Sequence, residues 1–159
     1  MIIREASKIV DKALKALEAE DVNTVLTEEE ISLYGFRSER IWGRTENKKY
    51  FDRWSFKRNV MPNIRTDRSR ITKTMLKEMK KFIDKALEYH FYGDIEFRTD
   101  WSAGMYASTR TGNDKEGAII LYHTFESDSK YWQIRDYRNN VKGTAGTLKE
   151  LKELVKKYG

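Results

Sequence analysis

The chain has 159 residues, no cysteine and a net charge of +6, with a sequence pI near 9.4. Such a length suits one domain that buries a core without staples, and the missing cysteine excludes a disulfide framework, a thiolate metal site, an Fe–S cluster and a Cys nucleophile. No apolar run approaches the roughly 20 residues of a membrane span, and Arg4, Glu5 and Lys8 stand where a signal peptide would need an apolar core. A cytosolic protein without membrane contact is therefore expected.

Ile3, Ala6, Val10, Ala13, Leu14 and Leu17 recur at steps of three and four, which predicts an amphipathic helix over residues 3–19. Thr27 and Glu30 have capping-box spacing ahead of a short helix, Glu28 to Tyr34, that would end at Gly35. Residues 36–66 fit two periods: Tyr50, Phe51, Trp54 and Arg58 suit a helix, whereas Tyr50, Trp54 and Phe56 also suit one strand face. Pro62, the only proline, marks a connection between two parts, 1–62 and 63–159, expected to form one unit.

A helix follows, with Ile71, Met75, Met79, Phe82, Ile83, Ala86 and Leu87 as its apolar stripe, Asp67 or Ser69 as its cap and Gly93 as its stop. The pattern then changes to period two. Segments 95–101, 105–110, 118–126 and 131–137 read as strands with short loops between them, hence an antiparallel meander. Thr147 and Glu150 repeat the capping-box spacing before a last helix with Leu148, Leu151, Leu154 and Val155. The expected fold class is α+β: a helical N-terminal part, then a three- to four-stranded antiparallel sheet with a closing C-terminal helix.

Charge is regional. Between Phe36 and Lys73 twelve basic residues face four acidic ones, a net +8, so the rest of the chain is slightly acidic. Aromatics interleave with these cations, and Arg and Lys neutralise phosphates while aromatic faces stack unpaired bases. Core packing of the same aromatics is the competing expectation. The residues expected to bind are Arg40, Trp42, Arg44, Arg53, Trp54, Lys57 and Arg58, since Trp and Arg dominate interface energetics. Arg98 and Arg135 on the later strands would extend a basic surface onto the sheet.

Catalytic patterns are sparse. His123 shares a predicted strand face with Leu121 and Phe125, which reads as core, and His90 sits at a helix end. Asp94, Glu96 and Asp100 would be the ligands of a Mg²⁺-dependent nuclease, a minor expectation beside solvated charge. Gly143 to Thr147 before the last helix would hold an anion. The chain has neither a nucleotide-binding fingerprint nor a Gly-x-Ser-x-Gly elbow, and no cofactor is expected.

The order helix, three strands, helix is similar to that of double-stranded-RNA-binding domains, although Gly143-Thr144-Ala145-Gly146-Thr147-Leu148 stands where those carry a lysine cluster. In size and composition the chain resembles small phage- and mobile-element-encoded inhibitors of host defence nucleases, the anti-CRISPR type. That resemblance implies a non-catalytic protein that occludes a nuclease or a nuclease–nucleic acid complex. A direct nucleic-acid-binding protein, for single-stranded DNA or RNA, is the alternative from the residues themselves.

Overall fold

A computed structural model describes residues 1–43, 45, 47–98, 104–112, 116–124 and 131–158. Helix α1 (Ile3–Glu18) buries the stripe read from the sequence, including Ala6, Val10, Ala13 and Leu17. It packs along helix α4 (Lys73–Glu88), whose Met75, Met79, Phe82, Ile83 and Ala86 are buried in the same cluster. Alanines on α1 let the two axes approach closely, and Lys80 closes the pair from outside with a 2.6 Å ion pair to Asp11.

Between these helices, helix α2 (Glu28–Tyr34) begins with the expected capping box: Glu30 N–H donates to the Thr27 hydroxyl and Thr27 N–H to the Glu30 carboxylate. It ends at Gly35, whose φ of +71° favours glycine and whose Cβ, if present, would lie 2.6 Å from that of Ser55. Strand β1 (Phe36–Arg40) follows and turns back into β2 (Asn47–Asp52). Strand β2 ends on Asp52, whose carboxylate accepts from Ser55 N–H and caps helix α3 (Arg53–Asn59). The two periods read over 50–58 are therefore both present, a strand up to Asp52 and a helix after it. Tyr34, Phe36, Phe51 and Phe56 meet there with centroids 5.3–6.1 Å apart, a cluster in which each ring pair adds about 0.5–1.5 kcal/mol to the burial of its area.

Two short strands, β3 (Ile64–Arg65) and β4 (Arg70–Ile71), separate α3 from α4. Strand β4 joins β2 as Phe51↔Ile71 and Asp52↔Arg70, completing a three-stranded sheet ordered β1-β2-β4. The second sheet holds β5 (Ile95–Arg98), β6 (Gly104–Ser108), β7 (Ile119–His123), β8 (Trp132–Asp136) and β9 (Val141–Ala145) in sequence, with β3 parallel on the β5 edge. Its antiparallel register sets two inner rows, Ile95–Ala107–Leu121–Ile134 and Phe97–Met105–His123–Trp132–Ala145. Trp132 stacks between His123 (3.9 Å) and Phe82 of α4 (5.9 Å). Helix α5 (Leu148–Tyr158) closes the chain with Leu151 buried.

The class is α+β, with the meander of four expected strands present as β5 to β8. Three local expectations change. Thr72, not Asp67 or Ser69, caps α4 by accepting from Met75 N–H. The helix stops at Glu88 and His90, not Gly93, takes the left-handed conformation with φ of +67°. Gly93 is instead buried, where a Cβ would lie 2.2 Å from the Arg110 carbonyl oxygen. Gly143 to Ala145, the start of the segment 143–147 expected to be an anion-holding loop, belong to edge strand β9 (Val141–Ala145), where Gly143 lies so close to Leu154 of α5 that strand and helix pack directly. Among the described residues no helix is long and apolar enough to cross a membrane.

Candidate nucleic-acid interface

Strands β1 and β2 pair over five residues, Phe36↔Phe51 to Arg40↔Asn47. At about 3.4 Å per residue this makes a ribbon roughly 17 Å long. Only its base is built into the body, where Phe36 and Phe51 enter the aromatic cluster and β4 pairs with Phe51 and Asp52. From Arg37 outward every β1 residue is exposed, and so are Asn47 and Lys48 opposite. The outer half of such a ribbon, buried on neither face, gains little from packing, so the sequence offered no apolar alternation to reveal it.

Two anchors fix the ribbon. On one face Arg70 lies 4.2 Å over the Tyr50 ring and 3.4 Å from the Glu39 carboxylate, and the Tyr50 hydroxyl donates to Glu39. That hydrogen bond, joined by partial desolvation, raises the Tyr50 pKa above its ordinary value. On the other face Lys49 donates to the Ala19 carbonyl at the end of α1 (2.6 Å).

The seven expected binding residues fall into two groups. Arg40 ends β1, and Trp42, in the turn beyond it, is 99% exposed; Arg44 lies outside the described residues. The second group is on α3, beside the ribbon's base. Trp54 is 71% exposed and shares a helix face with exposed Lys57 and Arg58 at spacings of three and four, while Phe56 is buried. Arg53 is half-buried, stacks 4.9 Å over Trp54 and donates to the Thr66 carbonyl (3.0 Å). The aromatics divide: Tyr50, Phe51 and Phe56 are core, whereas Trp42 and Trp54 face solvent.

The cations divide as well. Lys49, Arg53, Arg65, Arg70 and Lys73 are held by body groups, Arg65 by Glu96 (3.1 Å) and Lys73 by Glu18 (3.6 Å). Among the described residues the side chains of Arg40, Lys48, Lys57, Arg58 and Arg68 have no ion pair or hydrogen bond. Those five are the positive charge that the fold leaves for something else.

Other candidates are structurally occupied. Glu96 binds Arg98 through two contacts (3.0 and 3.2 Å) and also Arg65, and Asp94 accepts from Gly112 N–H (3.1 Å). Asp100 lies outside the described residues, among which no group of three or more acidic or His side chains is arranged to hold a metal. The amide of Gly146, which would have bound an anion, donates to the Glu150 carboxylate at 3.0 Å. His123 is buried, its Nδ1 3.0 Å from the Tyr131 carbonyl.

Sequence reasoning missed the outer row of the large sheet, Glu96–Tyr106–Tyr122–Gln133–Thr144. Arg135 stacks 3.9 Å over Tyr122, and Arg98 lies 5.4 Å from the Tyr106 centroid. Burial raises the Tyr122 pKa. The alternation of Tyr106 with Met105 and Ala107, and of Tyr122 with Leu121 and His123, carried that signal. A cavity of about 360 Å³ opens at this face beside Asp94, Glu96, Arg98, Tyr106 and Asn139. None of the protein families, curated proteins and solved structures compared with the chain matches it.

Proposed function

We propose that the chain is a non-catalytic nucleic-acid-binding protein whose contact surface is the β1–β2 ribbon together with the outward face of α3. The observation that carries this reading is a set of cations that have no ion pair or side-chain hydrogen bond among the described residues, Arg40, Lys48, Lys57, Arg58 and Arg68, together with the exposed Trp42 and Trp54. Phosphates take such cations with release of counterions, and an exposed indole is a stacking surface for a base.

A second reading has the same residues dock on an acidic face of a nucleic-acid-processing protein and inhibit it by occlusion, as the anti-CRISPR resemblance implies. Two solvent-exposed tryptophans flanked by arginines favour it, because these residue types supply most interface hot spots.

Fluorescence anisotropy of labelled DNA and RNA across a salt series separates the two. Five phosphate contacts give a log–log slope of about −4.5, hence a loss of about 500-fold between 50 and 200 mM salt. Absence of binding at low salt sinks the first reading and directs the search to nuclease partners, where an interface with an apolar centre would weaken far less with salt.

A further inference from the structure

We infer that the β1–β2 ribbon enters the major groove of duplex DNA and reads base edges with the face that carries Ser38, Arg40 and Asn47. This deepens the nucleic-acid reading above and rests on it.

The register assigns the faces. Residues directly opposite in an antiparallel pair point the same way and neighbours alternate. Arg37, Glu39, Lys48 and Tyr50 therefore share one face, and Phe36, Ser38, Arg40, Asn47, Lys49 and Phe51 share the other. On the first face Glu39 and Tyr50 are tied to each other and to Arg70, and Lys48 alone of the cations there stays exposed without a partner among the described residues. The second leaves the body after Lys49 meets Ala19. Beyond that point Ser38, Arg40 and Asn47 are exposed, and among the described residues their side chains make no hydrogen bond.

The chemistry of these three is that of base-edge recognition. Arg donates in bidentate fashion to guanine O6 and N7, Asn pairs with adenine N6 and N7, and Ser bonds either base. Arg40 and Asn47 lie directly across from one another, so they would address neighbouring positions of one groove. A two-stranded ribbon fits the B-form major groove, about 12 Å wide, whereas the A-form groove of duplex RNA is too narrow for side chains to read. Lys48, on the opposite face, is placed for backbone phosphate.

The test is selection of a preferred site from a randomised DNA duplex, then anisotropy on that duplex, a scrambled duplex, the same sequence as duplex RNA, and each single strand. Asn47→Ala, which changes no charge and removes no internal contact, should weaken the selected duplex about five- to a hundred-fold, leaving the scrambled duplex and Tm unchanged. Arg40→Ala should relax selection at a guanine, and replacing that guanine's N7 by carbon should mimic it. Lys48→Ala should weaken all duplexes alike. Equal or tighter binding of single strands or duplex RNA, or sequence preference untouched by both Arg40→Ala and Asn47→Ala, overturns this inference while leaving nucleic-acid binding intact. No binding of any polynucleotide at low salt overturns both.

Discussion

Arg70 stands over the ring of Tyr50 at 4.2 Å, so a residue of a two-residue strand braces one face of the ribbon, while Lys49 ties the other face to Ala19. The same guanidinium reaches Glu39, and the three side chains together fix the angle at which the ribbon projects. Arg70→Ala should lower Tm by about 2–4 °C, the change expected for roughly 1 kcal/mol in a chain of this size. It should also broaden the ribbon's amide resonances, while Arg70→Lys should restore the ion pair but not the flat stack.

Trp42 and Trp54 are predicted to matter for binding alone. Nearly all of Trp42 and most of Trp54 are in solvent, so alanine at either should move Tm by no more than about 2 °C. Loss of a stacked base should nevertheless weaken binding of a single-stranded nucleic acid about tenfold. Unchanged affinity in the double variant would remove both residues from the interface.

Opposite behaviour is expected inside. Adding a Cβ to Gly104 would place it 2.2 Å from the Tyr122 ring, over which Arg135 stacks at 3.9 Å. Gly104→Ala should therefore destabilise the fold by about 1–3 kcal/mol through overpacking, measurable by urea denaturation. The further change Tyr122→Ala should recover part of the clash while losing the Arg135 stack.

The sequence made the stripes of α1 and α4 and the meander plainly legible, because each has a period that burial enforces, and the capping box at Thr27 because its two hydrogen bonds fix the spacing to Glu30. The ribbon was not legible because its outer half is buried on neither face, so charged residues fill both alternating rows. Segment 50–58 resisted a single period because Asp52 is at once the last residue of β2 and the cap of α3. Strand β9 was hidden because Gly143, Thr144 and Gly146 have turn composition, and only the approach of Leu154 explains a glycine there. Of the candidate site, the residue types were readable, but the division of cations into those bound by the body and those left free depends on which carbonyls and carboxylates the fold brings near.

The pair formed by Lys12 and Glu30 should show in the pH dependence of stability. Its hydrogen bond holds the Glu30 carboxyl below its ordinary value of 4.5 and raises the Lys12 ammonium above 10.5. A lowered carboxylate pKa contributes stability above pH 4.5 that is lost as pH falls through the folded value. A raised ammonium contributes stability below pH 10.5 that is lost as pH rises through its folded value. The Tm difference between wild type and Glu30→Gln should thus be largest near neutrality and shrink under acid. A difference that stays constant from neutral pH down to strong acid would show that the carboxylate's charge does not contribute.

Strand β1 is also an edge. Among the described residues its outer side has no partner strand, which leaves backbone groups there open to an extended segment of matching length. Arg37, Glu39 and Arg40 line that edge with charge, and like-signed copies brought together would repel. Replacing all of these charges together with small apolar residues would remove the barrier to edge-to-edge association, so loss of function in such a multiple variant would be confounded by self-assembly, whereas a single substitution leaves two charges on the edge. Charge reversal keeps the edge guarded and is the sounder way to probe this surface.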